Sequence, residues 1–327
     1  MSKFALLISA DDPSIEGGGS AYPDAMAFSR ALKKFWSFDD SEIVVLSSRG
    51  RGDRLATRPN VETHFEAVRS LEDLETLIIG VWGQGIISPQ DNKRRYCLAD
   101  YDVANLRGTT VSLGSLLGAM LRLSAKNSCF ICDCRSFGLD GSPWNADDQD
   151  CKTLHRYARK TEPGRRLAAL TACSVGERPI DLIEGSRGLF TSHLIDGMFD
   201  SAKRYQGSFD SVAGYAIQHT ARASQEKGQR QFPYLANAGD GDVRFNVTPG
   251  FRPDEPFDAY APDGEEADVP EPLDDAELDA PSTDSEEGAA KNLRERLPDR
   301  LPLTLGIASG VMLATAAAYA IYFYFFR

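Results

Sequence analysis

Apolar residues follow two different periods along the first 250 positions of this chain. Continuous apolar runs, such as residues 4–9 and 42–47, are typical of strands that a parallel sheet buries on both faces. The residues between these runs have helical spacing instead, with one apolar face made of Ala25, Phe28, Leu32 and Phe35. Strand and helix patterns alternate in this way as far as Val247. The pattern therefore predicts one α/β domain over residues 1–247, with a mostly parallel sheet.

Two predicted strands of this domain end in polar residues. The apolar run 74–81 leads into Gly83-Gln84-Gly85, where glycine on both sides of Gln84 frees the backbone to turn. The run 128–132 leads into Asp133-Cys134-Arg135-Ser136, and Gly138 follows. Open α/β sheets bind ligands at the carboxyl ends of their strands. We therefore expect a functional site where these two strand ends meet.

Beyond the domain, the composition changes to Pro, Asp and Glu. Residues 251–290 contain 15 acidic residues and one basic residue, so they account for more than the net charge of −12 that the whole chain carries. Such a segment buries too little apolar surface to fold, which predicts a disordered acidic linker over residues 248–290. The rest of the chain is nearly neutral, so nothing suggests a nucleic-acid partner.

The C-terminal residues predict a membrane anchor. The 24 residues from Leu303 to Phe326 (residues 303–326) carry no charge, which is long enough to cross a hydrocarbon core of about 30 Å. A short basic juxtamembrane segment, residues 291–302, precedes the span. Its positive charge predicts that the N-terminal domain lies in the cytoplasm. The six cysteines agree, because they are scattered like buried thiols rather than arranged as a disulfide framework.

Small residues recur every four positions along the predicted span, at Gly306, Gly310, Ala314 and Ala318. A face of this kind lets two membrane helices approach closely, and it predicts possible self-association of the span. The alternative is that small residues only keep the helix apolar.

No metal or cofactor is expected from the sequence. Cys132 and Cys134 share a strand face, but no second pair with zinc-ligand spacing occurs. The four histidines are also scattered. His155 or His193 could reach Cys134 as a substitute base only if the fold brought them within hydrogen-bond distance.

Taken together and in order, the motifs of the domain resemble those of the caspase-like cysteine peptidases, nearest to the metacaspase and bacterial members. The resemblance covers roughly residues 4–247. The matching segments are residues 4–9, 24–25, 55–61, 83–85, 98–102, 133–138, 170–174, 188–191 and 231–233. The resemblance implies a three-layer α/β/α fold with a sheet of about six strands.

The same resemblance implies that both catalytic positions are degenerate. Gln84 stands where the family has its histidine, and an amide cannot act as a general base. An ungapped match puts Arg135 at the nucleophile position and Cys134 one residue early. A gapped match instead keeps Cys134 as the nucleophile. The ungapped match is favoured, because a shift of one residue in a strand turns a side chain to the opposite face.

Two acidic residues match family positions that form a pocket for a basic substrate side chain. They are Asp24 and Asp133, and the resemblance implies a substrate pocket at both. Arg135 could fill this pocket from within and pair with one of the carboxylates. The alternative is that Asp133 caps the turn and Arg135 is a surface charge.

These features favour a membrane-anchored pseudoprotease that binds a protein partner or peptide. One alternative is an active cysteine endopeptidase that uses Cys134. Another is a membrane effector whose span acts and whose caspase-like domain serves as the sensor.

Overall fold

The computed structural model describes residues 2–11, 18–71, 73–88, 93–123, 125–137, 149–173, 177, 179–183, 187–239 and 241–261. The strands are β1 (Ser2–Ala10), β2 (Ile43–Ser47), β3 (Leu74–Ile87), β4 (Arg94–Cys97), β5 (Thr110–Ser112), β6 (Asn127–Phe137), β7 (Arg166–Thr171), β8 (Asp181–Ile183), β9 (Arg187–Gly188) and β10 (Tyr234–Ala238). The helices are α1 (Ala21–Trp36), α2 (Arg58–Arg69), α3 (Leu106–Thr109), α4 (Leu113–Arg122), α5 (Gln149–Ala158), α6 (Leu189–Arg204) and α7 (Phe209–Glu226). Short 3₁₀ turns occupy Gly18–Ser20, Asp40–Glu42, Gly52–Arg54 and Val103–Asn105.

The main sheet is mostly parallel. Its strands follow the order β10-β7-β6-β3-β1-β2, in which β10 is antiparallel to β7 and the other neighbouring pairs are parallel. β4 and β5 extend the sheet as an antiparallel pair beside the far end of β3. β8 and β9 form a separate small ribbon. The predicted α/β class with a mostly parallel sheet is confirmed, and six strands make up its main path.

Helices cover both faces of the sheet and create two cores. The first core lies under α1, α6 and α7, and Phe28 of α1 is completely buried in it. The second core lies under α2, α4 and α5, and Leu117 of α4 is completely buried there. Successive residues of β1 alternate between the two, since Leu7 belongs to the first core and Leu6 and Ile8 to the second. This three-layer arrangement is why β1 is continuously apolar from Phe4 to Ile8.

β3 and β6 are longer than the apolar pattern predicts. Both continue past their apolar runs and through the polar residues that follow, as far as Ile87 and Phe137. Gly83 lies inside β3 with φ at 134°, a conformation that only glycine adopts easily. A Cβ at this position would lie 2.3 Å from the carbonyl oxygen of Ala10. Gly83 therefore permits a close approach of β1 to β3 instead of ending the strand.

The apolar alternation at residues 243–247 predicts a last short strand, but this segment does not belong to the sheet. Val243 and Phe245 are buried, but they pack in the first core, where Phe245 stacks on Trp36 with ring centroids 3.9 Å apart. Because Val243 and Phe245 are buried and the residue between them is not, the segment shows the two-residue period of a strand. The antiparallel edge strand is instead β10, which the sequence analysis missed.

Residues 248–261 pack against the domain, and we call them the C-terminal strap. The backbone N–H of Thr248 donates to the carbonyl oxygen of Phe35 at 3.0 Å. The ring of Phe257 packs against that of Phe35 with centroids 4.9 Å apart. The chain therefore stays packed against the domain beyond residue 247, at which the predicted domain ends. Aromatic residues bring this part of the acidic segment onto α1 and α6, although its average composition is that of a disordered chain.

The other predicted segments lie outside the described residues. They are the linker beyond residue 261, the basic segment 291–302 and the membrane span 303–326. In the part of the chain that is described, no helix is both long and apolar enough to cross a membrane. The membrane anchor therefore stays a prediction.

Replacing Gly83 by alanine tests the close approach of β1 to β3. The added Cβ meets the carbonyl oxygen of Ala10, and alanine is strained at this φ. We expect the free energy of unfolding to fall by about 1–3 kcal/mol, as measured by urea denaturation of the full-length chain. Gly214→Ala is the matched control, because a Cβ at this exposed position in α7 meets no atom within 4 Å. It should stabilise the protein by about 0.4–1 kcal/mol. A loss of stability in the control equal to that of Gly83→Ala would contradict the interpretation.

Candidate functional site

The two degenerate catalytic positions are close together in the sheet. In the parallel pairing of β3 with β6, Gln84 is the register partner of Arg135, and Gly83 is the partner of Cys134. The backbone of Arg135, rather than that of Cys134, therefore lies beside Gln84. The side chain of Arg135 lies outside the described part of the structure, so its predicted pairing with an aspartate stays a prediction.

The thiol of Cys134 points into the second core. Along β6, Ile131 belongs to the first core, whereas Cys132 and Cys134 belong to the second. Cys134 is 3% exposed, and its Sγ lies 3.5 Å from the carbonyl oxygen of Val81. Burial raises the pKa of Cys134 well above its ordinary value, and the neighbouring Cys132 raises it further. Such a thiol supplies little of the thiolate that a cysteine nucleophile requires.

Four carboxylates surround a small pocket on the opposite face of the sheet, beside α1. We call it the acidic pocket, and its carboxylates belong to Asp11, Asp24, Asp133 and Asp181. Gln84 also lines this pocket. The enclosed space measures about 20 Å³, which holds about one water molecule. The fold thus brings Asp24 and Asp133 together with Gln84, and it adds Asp11 and Asp181, which the sequence analysis missed.

Asp24, in the first turn of α1, is 2% exposed. Its carboxylate oxygens accept hydrogen bonds from the backbone N–H of Gly188 at 3.0 and 3.1 Å. Burial raises the pKa of Asp24 well above its ordinary value, and the nearby charge of Asp133 raises it further. The bonds from Gly188 and from the hydroxyl of Tyr260 act in the opposite direction.

Asp133 is held by a chain of buried side chains. The indole N–H of Trp82 donates to Oγ1 of Thr191 at 2.9 Å, and the Thr191 hydroxyl donates to Oδ2 of Asp133 at 2.8 Å. Trp82 precedes the Gly83-Gln84-Gly85 motif, and Thr191 lies in the first turn of α6. Groups from two elements therefore hold the carboxylate in the pocket.

Gly188 allows the two central carboxylates to lie this close. A Cβ at this position would lie 2.5 Å from Oδ2 of Asp24 and 3.3 Å from Oδ2 of Asp133. Any larger residue would therefore push both aspartates away. This gives a physical reason for the glycine at the start of the 188–191 motif, which the sequence analysis used only as a resemblance.

Gln84 brings a hydrogen-bonding group that has no protein partner among the described residues. Its side chain is 4% exposed, and its Nε2 is buried without a hydrogen bond. A buried amide donor that stays unpaired costs free energy, about 1–3 kcal/mol. The side-chain amide can be turned to present either its nitrogen or its oxygen. Gln84 is therefore available to bond a molecule that enters the pocket.

Two rim residues complete the acidic pocket. Asp11 directly follows β1 and accepts hydrogen bonds from the backbone N–H groups of Ala21 and Tyr22 at 3.1 and 3.2 Å. Burial raises the pKa of Asp11 despite these bonds. The Ser20 hydroxyl donates to Oδ1 of Asp181 at 3.3 Å. A signal for Asp11 was present in the sequence, because an acidic residue ends the first predicted strand.

Tyr260 of the C-terminal strap contacts a carboxylate of the acidic pocket, although it does not itself line the pocket. Its hydroxyl donates to Oδ1 of Asp24 at 2.6 Å, and the Arg187 guanidinium lies 4.4 Å from its ring centroid. Burial and the carboxylate of Asp24 raise the pKa of Tyr260. Tyr260 was not predicted as a site residue, because the composition of the whole acidic segment is that of a linker. Three aromatic residues within ten positions, Phe251, Phe257 and Tyr260, were the available signal.

The histidines that were weighed as substitute bases make other contacts. His155 on α5 bonds the hydroxyl of Tyr234. His193 on α6 has its Nδ1 3.6 Å from Oδ2 of Asp196 and its ring beside that of His219. Over the described residues, no cluster of three or more His, Cys, Asp or Glu side chains has the arrangement of a metal site.

Comparison with solved structures identifies the fold. Caspase-1 from Spodoptera frugiperda is similar with a TM-score of 0.50 and 11% sequence identity, over 76% of this chain and 91% of that one. A structural genomics target from Geobacter sulfurreducens matches with a TM-score of 0.48 and 16% identity, over 77% of this chain and 98% of that one. No protein-family model matches the chain, and no curated protein sequence does. At this identity the likeness to caspase-1 shows the fold alone, which is caspase-like.

Replacing Asp24 by asparagine tests the buried carboxylate through the pH dependence of stability. Because the pKa of Asp24 is raised in the folded protein, the folded state binds this proton more tightly than the unfolded chain does. Stability conferred by the protonated form is therefore lost as the pH rises from the unfolded pKa through the folded pKa. Asp24→Asn keeps an acceptor for Tyr260 and does not titrate. We expect urea denaturation to show a smaller fall in stability above pH 4 for Asp24→Asn than for the native protein.

Asp196→Asn is the control, since this carboxylate lies on the surface of α6 with 52% of its side chain exposed. It should keep the native slope of stability against pH. Part of the slope should also remain in Asp24→Asn, because the pKa of Asp11 is raised as well. An unchanged slope in Asp24→Asn would show that this carboxylate is not buried as described.

Proposed function

We propose that this chain is a catalytically inactive caspase-like protein that binds a basic side chain of a protein partner or peptide in the acidic pocket. The observation that carries the proposal is the opposite orientation of the two key residues. Gln84 lines the acidic pocket, whereas the thiol of Cys134 is buried in the second core. A nucleophile and its base must be within hydrogen-bond reach on one side of the sheet.

The chemistry of the residues supports the absence of peptidase activity. A glutamine amide does not titrate near neutral pH, so Gln84 cannot take the proton of a nucleophile. The pKa of Cys134 is raised by burial, which disfavours the thiolate further. Arg135, the register partner of Gln84, is no nucleophile because a guanidinium stays protonated.

The electrostatics of the acidic pocket support binding of a cation. Asp24 and Asp133 are both buried, and each would be stabilised in its charged form by a positive ligand. The enclosed space of about 20 Å³ is close to the size of one water molecule. A lysine ammonium is a compact charge with three donors, whereas a guanidinium is wider and planar. The pocket therefore fits a lysine head group better than the wider head group of arginine.

The location of this function is also a proposal. The uncharged residues 303–326 and the basic segment before them support a C-terminal membrane anchor with the domain in the cytoplasm. Under this proposal the acidic linker is a tether that lets the domain search for its partner near the membrane surface. Self-association through Gly306, Gly310, Ala314 and Ala318 would bring two such domains together.

The absence of activity can be tested with thiol-directed peptidyl probes. We expect the full-length chain in mild detergent to resist labelling at Cys134 by probes that carry Arg, Lys or Asp at the reactive position. We also expect no cleavage of the matching reporter peptides. Both follow because the thiol is buried and its pKa is raised. Mass spectrometry of the labelled protein identifies the modified cysteine.

Cys134→Ala and Cys173→Ala are the matched variants, since Cys173 is free and only half-buried. Residual labelling that Cys173→Ala removes would be ordinary surface reactivity. Labelling or peptide cleavage that Cys134→Ala alone abolishes would overturn the proposal and establish the alternative, an active cysteine endopeptidase.

The basic-ligand proposal can be tested with peptides that differ in one residue. We expect a lysine peptide to bind the full-length chain more tightly than its arginine, glutamine or glutamate counterparts. Affinity should rise with pH, because deprotonation of Asp24 creates the charge that the ligand needs. Asp24→Asn or Asp133→Asn should weaken binding by about tenfold or more, since each removes one charge-assisted hydrogen bond. Isothermal titration calorimetry measures all of these affinities.

Asp196→Asn serves again as the control for a general change of charge, and its affinity should equal that of the native protein. Tyr260→Phe distinguishes a pocket for lysine from a pocket for arginine. Loss of the hydroxyl leaves Oδ1 of Asp24 with only the hydrogen bond from Gly188. Arginine, which has more donors than lysine, should therefore gain more affinity from this change. Equal affinity for the lysine and glutamine peptides would refute a pocket for a basic side chain.

A further inference from the structure

A second cleft lies on the other side of the molecule, against the helices that cover the second core. It is formed by the start of α2, by β4 and β5, and by the facing sides of α4 and α5, and we call it the basic cleft. Its volume is about 610 Å³, which lies within the range of small-molecule sites, roughly 300–1,000 Å³. None of its lining residues belongs to the acidic pocket.

Positive charge dominates the lining of the basic cleft. Its basic residues are Arg58, Lys93, Arg94, Arg122 and Arg156. Among the described lining residues the acidic one is Glu62, which accepts a hydrogen bond from Nε of Arg58 at 2.8 Å. The chain outside residues 251–290 is nearly neutral, so the cleft gathers positive charge that the rest of the domain balances. A bound anion would interact favourably with this concentration of positive charge.

α4 adds a second source of positive potential. The helix has ten residues, and the Ser112 hydroxyl caps it by accepting from the backbone N–H of Ser115 at 3.0 Å. Because Ser112, Ser115 and Gly114 all line the cleft, the positive end of the helix dipole faces the same space as the arginines. The basic side chains and the helix end come from different parts of the sequence, and they converge only in the folded protein.

Tyr157 supplies an aromatic wall next to these charges. Its ring packs close to α4, where a Cβ at Gly114 would lie 3.3 Å from its hydroxyl and a Cβ at Gly118 would lie 3.5 Å from its Cε1. The guanidinium of Arg156 lies 5.5 Å from the ring centroid. Small residues on α4 thus let the ring pack close to the helix, and the ring adds an aromatic surface beside the cations.

Arg94 ties the cleft to the central sheet. Its Nη2 donates to the carbonyl oxygen of Cys134 at 3.2 Å, and its guanidinium lies 5.8 Å from the ring centroid of Tyr96. These contacts orient the guanidinium before any ligand arrives. A positioned guanidinium loses less conformational entropy on binding than a mobile surface arginine.

We propose that the basic cleft binds a small molecule that carries two or three phosphate groups. Guanidinium groups form paired hydrogen bonds with phosphate oxygens, and a helix N-terminus favours the same charge. The volume of the cleft matches a molecule of nucleotide size, and Tyr157 provides a ring on which a base can stack. A nucleic-acid strand would need a longer basic stripe than this single concavity provides. This site is independent of the basic-ligand function proposed for the acidic pocket.

Isothermal titration calorimetry with ATP and with inorganic triphosphate tests the proposal on the full-length chain in mild detergent. We expect both to bind, and the affinity to fall with added salt because the contacts are ionic. Arg122→Gln and Arg156→Gln should each weaken binding by about tenfold, the effect of one charge-assisted hydrogen bond. Arg222→Gln is the matched control, because this exposed arginine of α7 pairs with Glu226 far from the cleft.

Asp24→Asn should leave triphosphate affinity unchanged, which separates this test from that of the acidic pocket. Urea denaturation of the arginine variants verifies that they are folded. Three results would overturn the proposal. They are no binding of either anion at millimolar concentration, an equal loss of affinity in Arg222→Gln, and tighter binding of a single-stranded oligonucleotide or a phosphopeptide than of ATP.

Discussion

The register between β3 and β6 is the constraint on which the rest of the site depends. Side chains alternate between the two faces of a strand, so a shift of one residue would exchange Asp133 with Cys134. A carboxylate would then enter the second core, and a thiol would enter the acidic pocket. Each residue is held where it is by its own surroundings, Asp133 by the hydroxyl of Thr191 and Cys134 by burial beside Val81. The register therefore decides which chemistry each face of the sheet presents.

As a result, the two faces of one sheet carry opposite electrostatic character. One side gathers carboxylates at the start of α1, and the other gathers guanidinium groups around α4 and α5. Neither arrangement favours stability, because like charges repel and buried charges lose hydration. Proteins keep such features where function needs them, at the expense of stability. β6 connects the two sides, since it carries Asp133 on one face and gives the carbonyl oxygen of Cys134 to Arg94 on the other.

The C-terminal strap shows how local composition can mislead. Averaged over residues 251–290, the segment has the charge and proline content of a disordered chain. Its first part nevertheless buries Phe257 against Phe35 and bonds Tyr260 to Asp24. A few aromatic residues bury enough apolar surface to hold ten or so residues in place when a helix face is available to pack against them. Composition does not contain that information, because the receiving surface lies more than 200 residues earlier in the chain.

The sequence by itself determined the class of the fold and the elements with a strong apolar pattern. The helical spacing of Phe28 and Phe35 and the continuous apolar run of β1 report burial directly, and these elements formed as predicted. It also pointed to Gln84, Asp24 and Asp133 through motifs with a fixed order. Only the tertiary structure decided where β3 and β6 end, that Asp11 and Asp181 share the pocket of Asp24, and that Tyr260 bonds to Asp24. The physical reason is that periodicity reports which face of an element is buried, whereas strand order, register and long-range packing decide which residues meet.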